Sequence, residues 1–85
     1  MVKVKVTLVC KCGNRFTNIK PSLKMEKAGM DIQHYGTINL YCENCKEDLK
    51  CIFNIWEYYH GGSFIEKFYD KNKIKSVHLS CKFSY

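Results

Sequence analysis

The sequence predicts a small β-rich domain of the α+β class, stabilised by a bound metal ion. The chain has only 85 residues, a length at which a hydrophobic core alone gives marginal stability. Much of it alternates apolar and polar residues with the period of two that is typical of half-buried strands. Four of its six cysteines form two close pairs, Cys10 with Cys12 and Cys42 with Cys45. We therefore expect residues 1–85 to form a single domain built around these cysteines.

The two cysteine pairs are separated by 29 residues and have the character of metal-binding turns. A tetrahedral zinc ion with thiolate ligands requires its sulfur atoms to lie about 3.8 Å apart, which short pairs at tight turns provide. Gly13, directly after the first pair, suits such a turn because glycine tolerates a positive φ. We predict that all four cysteines bind one structural Zn²⁺. The first pair is one residue shorter than the common Cys-x-x-Cys spacing, so Cys51 is an alternative ligand.

These two turns resemble the cysteine knuckles of zinc-ribbon and rubredoxin-like proteins. The resemblance covers the two cysteine motifs and the β-rich segments between and after them. It implies a closed four-thiolate site with zinc or, as the alternative, iron, because rubredoxins separate their pairs by a similar number of residues. A closed iron site would transfer single electrons. We rank the electron carrier behind the zinc protein because an acidic surface and an upstream Cys-x-x-Cys with proline nearby are missing.

Six cysteines in a short chain also fit a disulfide framework. The first residues, Met-Val-Lys-Val-Lys-Val, lack the apolar segment of a signal peptide, and no apolar run is long enough to cross a membrane. We therefore expect a cytoplasmic protein that has no membrane partner. In that compartment paired cysteines bind metal rather than form disulfides. Cys51 and Cys81 are interpreted as buried free thiols on the inner faces of strands.

In the first half of the chain, alternating valines and lysines predict a strand over residues 2–9. A short return strand over 15–19 is expected to complete a hairpin around the first cysteine pair. Pro21 and Gly29 suit the two ends of a short helix over 21–28. Residues 30–36 are predicted to form a loop in which His34 is a surface residue rather than a ligand. A strand over 37–41 then leads to the second cysteine pair.

The second half is predicted to form an antiparallel three-stranded meander. Its strands are expected over 49–60, 64–69 and 74–85, with turns at residues 61–62 and 70–73. The segment from Ser63 to Glu66 also fits a helical capping box. We favour a strand there because the segment is rich in aromatic and β-branched residues.

The net charge of +6 comes from 14 Lys and Arg residues against eight Asp and Glu residues. Such a charge favours nucleic acid or an acidic protein surface as the partner. Arg15 is the only arginine, so we expect weak base preference and steep salt dependence, because arginine is the residue that reads guanine edges. Aromatic side chains with basic neighbours can stack on bases or form hot spots of a protein interface. The predicted contact residues are Lys67, Lys71, Lys73, Lys75, Lys82, Trp56 and Tyr58.

Lysines of this kind also solubilise small domains and protect sheet edges, which is the competing interpretation. Catalysis finds no support, because no serine–histidine–aspartate order, glycine-rich phosphate loop or recognisable carboxylate pair is present. A closed four-thiolate zinc site also lacks an open position for water. We therefore expect a non-enzymatic regulator or accessory factor that binds nucleic acid. The alternative is a protein-binding inhibitor or adaptor, whose size and lysine- and asparagine-rich composition suit a viral (phage-encoded) protein.

Overall fold

In a computed structural model, which describes residues 2–83, the chain forms seven β-strands arranged in two antiparallel sheets. The strands are β1 (Val2–Cys10), β2 (Arg15–Ile19), β3 (Leu23–Ala28), β4 (Asp31–Cys42), β5 (Glu47–Glu57), β6 (Ser63–Tyr69) and β7 (Ile74–Phe83). The three-stranded sheet has the order β2-β1-β7, and the four-stranded sheet has the order β3-β4-β5-β6. Within residues 2–83 no helix is long and apolar enough to cross a membrane.

The core lies between the two sheets. Strand β1 pairs with β7 along its whole length, from Val2 opposite Phe83 to Cys10 opposite Ile74. The apolar members of its alternating pattern point inward, while its lysines are exposed, which confirms the predicted first strand. The buried apolar residues come from both sheets: Val4, Val6, Leu8, Cys10, Ile38, Cys42, Leu49, Cys51, Phe53, Ile55, Ile74, Val77 and Leu79.

The two long strands of the four-stranded sheet, β4 and β5, pair from Ile32 opposite Glu57 to Cys42 opposite Glu47. The molecule is elongated, with principal extents of 43 × 19 × 18 Å. The strand ends that carry Cys10 and Cys42 therefore lie at one end of the sandwich, and Glu57 lies at the other.

The predicted helix over 21–28 is wrong, since Leu23–Ala28 forms β3 and pairs with residues 31–36 of β4. The predicted loop over 30–36 is wrong for the same reason, because it is the first half of β4. Gly29 does not end a helix; its φ of +66° belongs to the tight turn of a hairpin. The apolar residues of 23–28 do not form a helical stripe, so nothing in this segment outweighs the long pairing with β4.

The three-stranded meander is also wrong in its last step. Strands β5 and β6 pair as expected, but β7 leaves that sheet and pairs with β1. The predicted turn over 70–73 forms, with the side chain of Asp70 accepting a hydrogen bond from the Asn72 backbone at 2.9 Å. It carries the chain from one sheet to the other, where Val77 and Leu79 lie opposite Leu8 and Val6.

One further turn and two strands agree with the sequence in full or in part. Residues 63–69 form a strand, as preferred over the helical alternative. The glycine turn forms with φ of +88° and +92° at Gly61 and Gly62, but it is a five-residue loop closed by a hydrogen bond between Tyr58 N and Gly62 O at 3.2 Å. Strand β7 ends at Phe83, and the predicted extension to Tyr85 lies outside the described residues.

Candidate metal centre

The four paired cysteines meet at one end of the sandwich. Cys10 ends β1, and Cys42 ends β4. Cys12 and Cys45 follow them in the two adjoining turns. The four Sγ atoms all lie within 4.8 Å of one another, with Cys10 Sγ 3.4 Å from Cys45 Sγ and Cys12 Sγ 3.6 Å from Cys42 Sγ. Because β1 and β4 belong to different sheets, the cluster joins the two sheets.

Backbone hydrogen bonds shape both cysteine turns. In the first turn Gly13 N donates to Cys10 O at 2.9 Å, and Cys10 N donates to Asn14 O at 2.9 Å. Gly13 has a φ of +93°, as the sequence predicts. In the second turn Lys46 N donates to Cys42 O at 2.7 Å, and Lys46 adopts a φ of +55° without being glycine. This left-handed backbone is strained for lysine, so the second turn is held by its surroundings.

The cluster fits a metal ion by spacing and by donor chemistry. Tetrahedral thiolate ligands of zinc stand about 3.8 Å apart, close to the shortest sulfur–sulfur distances of 3.4 and 3.6 Å here. Four soft sulfur donors in a tetrahedral arrangement suit zinc or iron. Cys10 and Cys42 are buried, whereas Cys12 is exposed. The four cysteines could therefore bind a metal ion at the margin of the core, and their geometry fits both metals.

The surroundings of the sulfur atoms favour an ionised thiol at Cys42. A hydrogen bond from the Cys45 backbone lowers the pKa of Cys42 to about 6, and the Asn14 side chain contributes in the same direction. Asn14 Nδ2 donates to Cys42 Sγ at 3.7 Å. Hydrogen bonding with the Cys12 and Cys10 thiols raises the pKa of Cys45 to about 12. Negative charge is therefore favoured at Cys42 and disfavoured at Cys45, and a bound cation would become the dominant charge at the cluster.

Three charged residues surround the cluster and connect the two sheets. Glu47 lies 3.7 Å from Lys11 Nζ through one carboxylate oxygen and 3.5 Å from Lys73 Nζ through the other. These ion pairs are largely exposed, so each contributes little on its own. Lys11 N also donates to Lys73 O at 3.1 Å. The first cysteine turn is thus tied to the turn before β7 and to the start of β5.

Cys51 and Cys81 lie outside the cluster. Cys51 is fully buried on the inner face of β5, and burial raises the pKa of its thiol. Cys81 is half-buried on the inner side of β7, and burial raises its pKa as well. The interpretation as a buried free thiol is confirmed for Cys51, whereas Cys81 is free but only half-buried. The clustered ligand set consists of the two pairs, so the alternative role of Cys51 as a substitute ligand is not supported.

The interpretation of His34 as a surface loop residue is wrong. His34 lies on the inner face of β4 and is only 4% exposed. Its Nε2 lies 3.5 Å from Glu57 Oε2, and Glu57 is also buried. The sequence carried a signal for this pair, because Glu57 falls on the apolar face of the predicted strand over 49–60. A carboxylate in that position requires a polar partner.

The seven predicted contact residues do not form one surface. Lys67 Nζ donates to Val77 O at 2.7 Å and links the two sheets. Lys73 pairs with Glu47 beside the cysteines. Lys82 lies opposite Lys3 at the far end of β7 from Lys71 and Lys75.

The two aromatic residues of the predicted contact set lie in a different place from its lysines. Trp56 is half-buried and lies opposite Phe64 near the end of β5 that is remote from the cysteines. Tyr58 is 38% exposed, just beyond the same strand end. The more exposed apolar side chains of the outer face are Ile52, Phe64 and Phe68, which sequence reasoning did not single out. Their alternation with inward residues along β5 and β6 was the available signal.

A second feature that sequence reasoning missed is the segregation of charge between the sheets. Residues 2–25 and 71–83, which we call the basic segments, contain ten of the 14 Lys and Arg residues and no Asp or Glu. Residues 26–70 contain four lysines and all eight acidic residues. The basic segments provide every strand of the three-stranded sheet. The fold thus gathers the two chain ends into one basic sheet, packed against a sheet of net negative charge.

Comparisons with known proteins give no match: the chain resembles no protein-family model, no curated protein and no solved structure closely enough to be assigned to it. The likeness to zinc-ribbon and rubredoxin-like proteins therefore depends on the four clustered cysteines and their two turns. These features are compatible with a zinc-ribbon-like motif within a small, strand-rich protein.

Proposed function

We propose that this protein is a non-enzymatic binding domain in which a structural Zn²⁺, held by Cys10, Cys12, Cys42 and Cys45, joins the two sheets. The observation that supports it is the meeting of four Sγ atoms from two sheets within 4.8 Å. A zinc ion with four protein thiolates has no open position for water, so the site stabilises the fold rather than catalyses a reaction. Iron in the same cage would instead give a one-electron carrier.

Metal content distinguishes these alternatives. The protein is purified without chelator and analysed by elemental mass spectrometry, with thiols counted under denaturing conditions. We expect one zinc per chain and six titratable thiols. A red protein with one iron per chain would contradict the zinc assignment, and fewer than six thiols without metal would contradict the metal site altogether.

We infer that the ligand of the domain is nucleic acid, bound through the basic segments. Support comes from the segregation of charge, because the strands of the three-stranded sheet carry five basic residues (Lys3, Lys5, Arg15, Lys75 and Lys82) and no acidic residue. Such a surface attracts phosphates. Lysine dominates this set, so binding is expected to depend on phosphate contacts rather than on base reading. Of the seven predicted contact residues, this proposal keeps Lys71, Lys73, Lys75 and Lys82, which lie in the basic segments, and leaves out Lys67, Trp56 and Tyr58.

The test is the salt dependence of oligonucleotide binding. We compare the zinc-loaded protein with the variant Lys75→Gln, which removes an exposed charge from β7. The control is Lys50→Gln, which removes an exposed charge from β5 on the other sheet. Loss of one phosphate contact lowers the slope of log affinity against log salt by about 1. We expect this change for Lys75→Gln only. Absence of salt-dependent binding, or equal slopes for both variants, would contradict the nucleic-acid proposal and favour docking on an acidic protein.

A further inference from the structure

The edge of β1 that faces β2 is paired over only part of its length. The β1–β2 ladder runs from Val9 opposite Arg15 to Val6 opposite Ile19, where β2 ends. Beyond that point residues 2–5 pair with β7 on one side and, among residues 2–83, with no strand on the other. Every second residue of such an edge presents a free N–H and C=O, which form a template for another strand.

A groove lies beside this free edge. After Ile19 the chain turns away and crosses to the other sheet at Leu23, and Pro21 on the way has no N–H with which to pair. The groove between the free edge of β1 and this crossing segment has a volume of about 910 Å³. It is lined by residues 2–5 of β1, by Lys20 and Leu23, and by Lys82 on β7. The free edge is therefore accessible to an extended chain.

The groove walls alternate in chemistry along β1. Val2 and Val4 belong to the inner side of the strand, while Lys3 and Lys5 are exposed on the outer side. Lys3 lies directly opposite Lys82, and like charges in that position repel each other. Lys20 adds a further positive charge at the groove. A strand placed here meets apolar side chains on one face and lysines on the other.

We propose that an extended acidic segment of a partner protein adds to this sheet as a strand beside residues 2–5 of β1. Main-chain hydrogen bonds provide affinity in this mode, and alternate side chains provide specificity. The segment that fits alternates acidic residues, facing Lys3, Lys5 and Lys82, with apolar residues, facing Val4 and Leu23. This goes beyond the nucleic-acid proposal, and because both ligands would use Lys3, Lys5 and Lys82, the test below distinguishes the peptide from an oligonucleotide.

The free backbone edge and the lysines together select this occupant. A polynucleotide would neutralise Lys3, Lys5 and Lys82, but it has no amide ladder to pair with the edge. A second copy of the same edge would bring lysines against lysines, which disfavours self-association. An acidic peptide satisfies both the backbone and the charge.

The test uses the zinc-loaded full chain and a synthetic seven-residue peptide of alternating glutamate and valine. Binding is followed by fluorescence anisotropy, and protection of residues 2–5 by amide hydrogen exchange. We expect slower exchange at alternate amides within 2–5, because only every second N–H faces the added strand. Two peptide isomers are then compared, N-methylated at the odd or at the even positions. Strand addition predicts that one methylated peptide binds about tenfold or more weakly than the other, since it loses about two ladder hydrogen bonds.

Charge variants complete the test. The double variant Lys3→Glu/Lys82→Glu is expected to weaken the peptide about tenfold through like-charge repulsion, whereas Lys50→Glu on the other sheet leaves it unchanged. Equal binding of the two methylated isomers, or no protection of residues 2–5, would overturn the proposal. If an oligothymidine protects the amides of residues 2–5 as strongly as the peptide does, the lysines bind nucleic acid, and the strand-addition proposal is overturned as well. Dimerisation through this edge, seen as concentration-dependent protection without peptide, would assign it to a second copy.

Discussion

At the scale of single residues, the surroundings of the sulfur atoms separate Cys42, one of the four paired cysteines, from Cys51, one of the two unpaired ones. Cys42 receives hydrogen bonds from backbone and amide donors, which lower its pKa to about 6. Cys51 lies among apolar side chains, where burial raises its pKa. Thiolates bind metals and thiols pack as small hydrophobes. The sequence spacing separates the same two groups, because only the paired cysteines lie at turns.

The first prediction concerns Cys42→Ser. Removing one of four ligands is expected to abolish stoichiometric zinc and to lower the thermal unfolding midpoint, because metal binding at such a site contributes directly to folding. Metal content and circular-dichroism melting measure the two effects. Cys81→Ser is the control, since Cys81 lies on β7 outside the cluster and its variant should keep one zinc. A Cys42→Ser protein as stable as the parent, and still loaded with metal, would show that the cluster is not the ligand set.

The second prediction concerns Asn14, whose side chain donates to Cys42 Sγ at 3.7 Å. Groups that hydrogen-bond to metal ligands orient them and typically contribute 10- to 100-fold in affinity. We expect Asn14→Ala to weaken zinc binding about tenfold by this reasoning, as measured by competition with a chromophoric chelator. Asn39→Ala, on the exposed face of β4, should leave affinity unchanged. Equal affinities for the two variants would remove Asn14 from the site.

At the scale of strands, Gly36 allows β3 and β4 to approach closely. A Cβ at this position would lie 2.6 Å from Ser22 O and 3.0 Å from the Phe53 ring. Ser22 O is backbone and cannot rotate away. The glycine inside a strand is therefore explained by packing, because glycine otherwise weakens a strand.

The third prediction follows from this contact. Gly36→Ala is expected to destabilise the protein by about 3 kcal/mol through overpacking, measured by urea unfolding of the zinc-loaded form. Gly29→Ala is the control: it has open space around its Cβ but a φ of +66°, so backbone strain alone should destabilise it by about 1 kcal/mol. If the two variants lose the same stability, the close approach at Gly36 does not constrain the fold.

The strands whose residues alternate strictly were predictable from the sequence. Strands β1, β5 and β7 have this pattern, and the cysteine turns next to them were placed correctly by spacing and by Gly13. Strand β3 was not predictable, because its segment LKMEKA is mostly exposed and has no apolar face that would distinguish strand from helix. Its conformation is set by pairing with β4 across the Gly29 turn.

The pairing of β7 with β1 could not be predicted from the sequence, for a different reason. Local patterns favour pairing between consecutive strands, which predicts β7 beside β6. The observed pairing of β7 with β1 joins the two ends of the chain, a contact that no local pattern reports. The segregation of charge was missed as a consequence, because it appears only when β1, β2 and β7, from the two ends of the chain, are seen to share one sheet.

At the scale of the whole molecule, the two ends of the sandwich are held by different chemistry. One end carries the four cysteines together with Glu47 and its two lysines. Toward the other end, His34 and Glu57 are buried on the inner face of the four-stranded sheet, with His34 Nε2 3.5 Å from Glu57 Oε2. His34 and Cys42 are eight residues apart on β4, or about 26 Å. A metal ion bound by the cysteines would thus join the sheets only locally, and the remaining length depends on core packing.

The fourth prediction is the effect of removing the metal. A chain of 85 residues buries a small core, so losing the clamp between its sheets should remove a large share of its stability. At a thousandfold excess of free zinc over its dissociation constant, binding contributes about 4 kcal/mol. We expect chelation to lower the unfolding midpoint and to accelerate amide exchange first in β1 and β4 next to Cys10 and Cys42, with recovery when zinc is restored. Calcium in place of zinc is the control, because thiolates bind it poorly. An unchanged midpoint after verified loss of metal would mean that core packing alone holds the two sheets together, and the cysteines would then need another explanation.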